Sequence, residues 1–184
     1  MIARLATESD IDGILQLQAL NLYKNLSKSE LDWGFVTTPI TKNQITNAIA
    51  LQGVFILENN REITGYVFAA DWNYFSQWNI FPYMVSRFPK LQFNDKAITV
   101  DNSFQYGPVC IAKALRGSDA LLRLFETMRS NMVDRFPIGA TFIHQSNLRS
   151  LYAHKKLNFQ IIDEFEFNNN SYYILAFLTT DIIA

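Results

Sequence analysis

The chain has two histidines, His144 and His154, and they bracket Asn147 in the stretch Ile143-His144-Gln145-Ser146-Asn147-Leu148-Arg149-Ser150-Leu151-Tyr152-Ala153-His154. Asn147 and His154 are seven residues apart, close to two helical turns, so on a helix they share one face. An imidazole of ordinary pKa, about 6.5, exchanges its proton near neutrality and suits general acid or base work. A capping asparagine and an exposed or core-edge histidine are the plainer readings of the same residues. A second constellation is Arg116-Gly117-Ser118-Asp119, set between the apolar Val109-Cys110-Ile111 and apolar residues recurring at Ala120, Leu121, Leu124, Phe125, Met128 and Met132. That recurrence is one face of a helix. A helix starting directly after a strand and a glycine turn gathers unpaired backbone NH groups and the positive end of its dipole at one point. Such a point suits a phosphate-bearing ligand. Cys110 is the only cysteine, and its neighbours Val109 and Ile111 imply ordinary burial rather than an activated thiolate.

These residues need particular elements around them. Ile2 to Ala6 reads as an opening strand, and Thr7 with Asp10 resembles a capping box ahead of a helix carrying Ile11, Ile14, Leu15 and Leu22. Residues 23–40 are polar, with Trp33 and Phe35 embedded and Pro39 closing them, so a loop or short helix is expected, placed to serve as a lid over a substrate. Thr41 to Leu51 predicts a short helix. Val54 to Glu58 and Ile63 to Asp71, joined by Asn59-Asn60-Arg61, predict a hairpin. Residues 72–96 hold eight aromatic side chains, from Trp72 to Phe93, read as core beneath a helix or as an apolar wall for a substrate or a second subunit. Gly139 to His144 predicts a strand and Asn147 to Lys156 a helix. Phe159 to Phe167 and Tyr172 to Leu178, joined by Asn168-Asn169-Asn170-Ser171, predict a closing hairpin. The order implies one α/β domain over residues 1–184, a mixed sheet flanked by helices.

Composition excludes several classes of function. With 49% hydrophobic and 18% charged residues in 184, the chain can bury a substantial core. A formal net charge of -1 without a basic run gives no reason to expect nucleic acid, and no apolar stretch approaches the ~20 residues that cross a bilayer. The lone cysteine and an N-terminus without the apolar segment of a secretory signal fit a cytoplasmic protein. No metal site is expected.

Two segments carry a resemblance to the GNAT superfamily of acyl-CoA-dependent N-acyltransferases. Val109-Cys110-Ile111-Ala112-Lys113-Ala114-Leu115-Arg116-Gly117-Ser118-Asp119-Ala120-Leu121 resembles its strand, pyrophosphate loop (Gln/Arg-x-x-Gly-x-Gly/Ala) and helix. Asn147 to Phe159 is similar to its following helix, commonly ending Lys-Leu-Gly-Phe. The resemblance implies a mostly antiparallel sheet of about seven strands with splayed central strands. Acetyl-CoA would be the cosubstrate, transferring its acetyl group directly to an amine of a small molecule or peptide. It further implies that main-chain groups around Val109, Cys110 and Ile111 pair with the pantetheine, that Arg116 to Leu121 hold the pyrophosphate, and that Asn147 contacts the pantetheine arm. His154 falls where many members carry a tyrosine that protonates the departing thiolate, and His144 is a candidate base. A homodimer is compatible. Asp119 stands where the loop has its first glycine, Leu121 where it has its second, and Asn158 where the later motif has glycine. A carboxylate that capped the helix would compete with a pyrophosphate, so a second reading is a chain that keeps the fold as a ligand-binding or interaction module.

Overall fold

Left-handed backbone at three pairs of residues folds the chain back on itself: Asn60 and Arg61 (φ 50° and 68°), Asn94 and Asp95 (49° and 61°), Asn168 and Asn169 (49° and 60°). Asparagine and aspartate tolerate this region better than other side chains, and paired positive φ matches the twist of a two-residue hairpin. In a computed structural model, which describes residues 1–31 and 34–183, the strands are β1 Ile2–Leu5, β2 Val54–Asn59, β3 Glu62–Ala70, β4 Gln92–Phe93, β5 Lys96–Ala97, β6 Ser103–Ile111, β7 Ile138–His144, β8 Gln160–Phe167 and β9 Asn170–Leu178. The helices are α1 Ile11–Ala19, α2 Lys28–Leu31, α3 Lys42–Ala50, α4 Trp72–Phe75, α5 Ile80–Val85, α6 Ala120–Met132 and α7 Leu148–Lys155. Seven strands form one sheet in the order β1-β2-β3-β6-β7-β9-β8, and β4 pairs with β5 apart from it. β6 and β7 run parallel, whereas β1–β2, β2–β3, β7–β9 and β8–β9 run antiparallel.

The parallel pairing is short. Ser103, Phe104 and Gln105 face Ile138, Gly139 and Ala140, and there the ladder stops, although β6 continues to Ile111 and β7 to His144. Gly107 has φ 100°, and Pro108 has no NH to donate, so the backbone of β6 cannot continue a regular ladder through this point.

By contacts the chain divides into two compact units, Met1–Ala69 with Gly107–Asn131, and Ala70–Tyr106 with Met132–Ala184. In the first, Ile11, Ile14 and Leu17 of α1, Ile45 and Ala48 of α3, and the apolar run of β2 are buried, together with Ala120, Leu124, Phe125 and Met128 of α6. The helical recurrence expected for α6 is thus its core face, with Leu121 only half-buried. Arg4 ties three elements, reaching Asp10 with both terminal nitrogens at 2.8 and 2.9 Å and Glu58 at 2.8 Å. That guanidinium, aided by the Thr7 NH, holds the Asp10 carboxyl below its usual range despite burial. Leu22 does not extend α1; it forms a bridge with Val36 that closes the base of the intervening loop. Within this loop Phe35 packs edge-on against Tyr23 at 5.0 Å, and Trp33 lies outside the described residues.

In the second unit, residues 72–96 form two short helices, a turn and the β4–β5 hairpin rather than one covering helix. Trp72, Tyr74, Phe75, Phe81, Phe88 and Phe93 are buried, so the segment supplies its own core. Tyr83 stays exposed at 40% and lies against Phe165 and Phe167. Arg87 donates to Asp163, tying α5 to β8. Gly139 has no room for a side chain: a Cβ there would sit 2.1 Å from Cε1 of Phe177. Gly139→Ala is therefore expected to destabilise the fold by at least the roughly 1–3 kcal/mol typical of core overpacking. An unchanged denaturant midpoint for this variant would contradict the packing.

Candidate active site

One group of candidate residues belongs to the first unit. β6 is closed at its end by the Ala112 NH donating to Thr64 O at 2.8 Å, and a single tight turn, Lys113–Leu115, follows. Gly117 then takes φ 86°, with nothing within 4 Å of where a Cβ would be, so glycine serves there for its backbone conformation rather than for space. Ser118 Oγ donates to Leu115 O at 2.6 Å and accepts from the Ala120 NH at 3.2 Å, which makes Ser118 the cap of α6. Asp119 instead meets Arg123 one turn along the helix surface, at 2.6 Å, with both side chains about half exposed. Its carboxylate accepts no NH of the turn. Among the described residues none accepts a hydrogen bond from the NH groups of Gly117, Asp119, Leu121 or Leu122. Four donors and the positive end of a helix dipole are thus available at one place.

Arg116 lies in the loop, yet its guanidinium points back into the unit. Nε donates to Ile111 O at 2.9 Å, Nη1 to Gly34 O at 3.4 Å, and Nη2 to Asn21 Oδ1. Val109 is half-exposed, while Cys110 and Ile111 are buried. Burial pushes the Cys110 thiol up to about 12, against a smaller opposing pull from Arg116. Such a thiol is protonated at neutral pH and is no nucleophile.

A separate group belongs to the second unit, at the end of β7 and on α7. Asn147 is the N-cap of α7, its Oδ1 accepting from the Ser150 NH at 3.2 Å. His144 Nδ1 accepts from the Ser146 NH at 3.1 Å, which leaves the proton on Nε2, 3.1 Å from Asn170 Oδ1. The ring stands edge-on to Tyr172. Ser146 Oγ is a further 2.7 Å partner of Nδ1, so His144 serves the turn around it. His154 is only 3% exposed and stands between the rings of Tyr106 and Phe159, at 5.5 and 5.0 Å. Its Nδ1 is 2.7 Å from Ser150 O, and because a carbonyl only accepts, Nδ1 carries the proton. Nε2 is then a bare acceptor, buried and without a partner among the described residues. Burial lowers the His154 pKa from 6.5 to about 4, against the contrary effect of the Ser150 carbonyl. The ring is neutral at pH 7 and has no proton to give at Nε2. Asn158, in the turn that follows α7, takes φ 61°, a left-handed conformation that asparagine tolerates.

Spacing along the chain places His144 at the end of a strand and Asn147 and His154 on the helix after it, where they stand. It missed Asn21, whose partner is 95 residues away, and nothing local in Leu20-Asn21-Leu22 signals that contact. It also passed over Gly107-Pro108, a dipeptide that marks interrupted pairing. Among the described residues no cluster of three or more His, Cys, Asp or Glu is arranged to hold a metal ion, and no helix is long and apolar enough to cross a membrane.

Solved structures share this architecture. Over 96% of this chain and 94% of its own, a GNAT-family acetyltransferase from Streptococcus agalactiae superposes with a TM-score of 0.65 at 13% identity. The Salmonella typhimurium protein yncA, solved with its cofactor acetyl-CoA, matches 100% of this chain and 96% of its own, with a TM-score of 0.64 and 16% identity. The polyamine N-acetyltransferase of Drosophila melanogaster, which forms N-acetylagmatine, matches 96% and 99%, with a TM-score of 0.66 and 12% identity. No family model and no curated protein matches the sequence. The likeness is one of fold, and the fold is that of the GNAT acetyltransferases.

The burial of His154 has a consequence for stability. The unfolded chain takes up a proton at this residue near pH 6.5, whereas the folded chain resists protonation down to about pH 4. Full stability is present above about pH 6.5 and is lost progressively as the pH falls toward 4, by roughly 3 kcal/mol at about 1.4 kcal/mol per pH unit. Denaturant unfolding across this range should show His154→Phe losing less stability than the wild type. Equal losses would place the acid sensitivity elsewhere.

Proposed function

We propose that this chain is an acetyl-CoA-dependent N-acetyltransferase, in which the NH groups of Gly117, Asp119, Leu121 and Leu122 hold the coenzyme's pyrophosphate. The observation that carries the reading is the direction of Asp119. Its carboxylate is engaged by Arg123 on the helix surface, so the donors that a capping carboxylate would have occupied are left to a ligand. An oligophosphate at a helix N-terminus satisfies both the NH groups and the dipole. The competing reading, a fold retained as an interaction module, drew its support from that carboxylate capping α6, and Ser118 caps it instead.

The reaction assigned here is direct transfer. The amine nitrogen attacks the thioester carbonyl, a C–N bond forms and the C–S bond breaks, and a proton leaves nitrogen while one is gained by sulfur. Val109, Cys110 and Ile111 are assigned to main-chain pairing with the pantetheine, as a strand would pair. Asn147 is assigned to its amide contacts. His154 enters this scheme as a neutral acceptor: its bare Nε2 accepts a hydrogen bond from the amine, and the proton released at nitrogen passes through solvent to the thiolate, whose ordinary pKa near 8.5 lets it take one. His144, engaged by Ser146 and Asn170, is assigned to holding the turn. An amine of a small molecule or peptide is the acceptor class that suits this chemistry.

Calorimetric titration of the protein with acetyl-CoA and CoA tests the reading. Saturable binding is expected, with Asp119→Asn within about threefold of the wild type because the carboxylate faces outward. Absence of binding at millimolar ligand would overturn the assignment. Single-turnover acetylation with His154→Phe is expected to lower the chemical rate more than the coenzyme affinity.

A further inference from the structure

One guanidinium in the first unit joins two segments that are distant in sequence. Arg116 leaves the loop that precedes α6 and bonds to both ends of the Asn21–Val36 loop, at Asn21 Oδ1 and Gly34 O, while Nε holds the last carbonyl of β6. Asn21 is well fixed for this purpose. It is 7% exposed, its Nδ2 donates to Leu17 O at 2.8 Å, and its carbonyl accepts the Val36 NH at 2.9 Å. The Tyr23 NH returns to Val36 O at 2.9 Å, so the neck of the loop is closed beside the guanidinium.

We propose that Asn21 and Arg116 form a strut through which the neck of the Asn21–Val36 loop sets the conformation, and with it the coenzyme affinity, of the Lys113–Asp119 loop. The inference rests on that loop being the pyrophosphate site. In it Arg116 acts by hydrogen bonding inward, and Asn21 is a positioning residue that touches no ligand. The chemistry favours this division of labour. A planar guanidinium bonded to two carbonyls and an amide oxygen has its donor fork directed at protein acceptors, and a shift of a loop amide by about 1 Å lengthens a 3 Å bond to phosphate past useful range. Four such amides respond together when the residue that ties the loop to its support is cut.

Substitutions at Asn21 separate the strut from general stability. Asn21→Ala removes the acceptor for Arg116 and the bond to Leu17, whereas Asn21→Asp retains an acceptor for Arg116, now charged, and sets an oxygen against Leu17 O in place of the donor. CoA titrations and thermal unfolding of wild type, both Asn21 variants, Arg116→Ala and the Asn21→Ala/Arg116→Ala pair give the test. The expected result is a roughly tenfold weaker CoA affinity for Asn21→Ala, near wild-type affinity for Asn21→Asp although both variants melt earlier, and no further loss when Asn21→Ala is added to Arg116→Ala. Unchanged affinity in Asn21→Ala, equal weakening in both Asn21 variants, or losses that multiply in the pair would each overturn the strut. Failure of the wild type to bind CoA would instead remove the function on which it rests, so the two failures are told apart.

Discussion

A proline cannot donate to a neighbouring strand, and in this sheet that deficit falls at Pro108, in the middle of the strand that leads to the candidate coenzyme loop. The parallel ladder ends at Gln105 and Ala140, so the main-chain groups of β6 farther along are not consumed by that pairing. In an ordinary sheet such groups would be satisfied by a neighbour, because unpaired backbone in a protein interior costs free energy. A strand-like ligand such as a pantetheine arm is the kind of molecule that uses them. The proposed chemistry depends on this interruption, since a continuous ladder would leave the backbone of β6 nothing to offer.

The loop that follows is held from behind. Arg116 carries the only positive charge between Lys113 and Arg123, and the obvious assignment is to a phosphate, yet its donors face protein carbonyls. The proposed anion site is then made of neutral NH groups and a helix dipole, with Ser118 as cap and Asp119 paired off along the helix. The second unit shows comparable economy in its histidines. One is held at both ring nitrogens by a serine and an asparagine, and the other is sealed among aromatic rings with a single acceptor left bare. A buried imidazole in that state costs stability in acid.

Much of the fold could be read from the chain. The Asn60-Arg61 and Asn168-Asn169 turns announced their hairpins, because the residues that tolerate positive φ are few, and α6 announced its buried face by its 3.6-residue recurrence. Asn158 could be read as left-handed for the same reason. The Phe93-Asn94-Asp95-Lys96 turn carried the same kind of signal and was submerged in a run of aromatics that looked like one buried layer. The candidate residues could be placed on their elements from the chain, but their states could not. Spacing places His154 on the face of Asn147, but only the surrounding Tyr106 and Phe159, 48 residues before and five after it, decide that it is buried and neutral. Likewise a loop arginine looks free until Asn21 and Gly34 are brought beside it by tertiary folding.

Whether the amides of the loop and the first turn of α6 hold a pyrophosphate is read from amide NMR spectra recorded during titration with CoA, and separately with pantetheine. The signals of Gly117, Asp119, Leu121 and Leu122 are expected to move with CoA and stay in place with pantetheine, which lacks the pyrophosphate. Movement of these four with both ligands, or with neither while other amides report CoA binding, would contradict it.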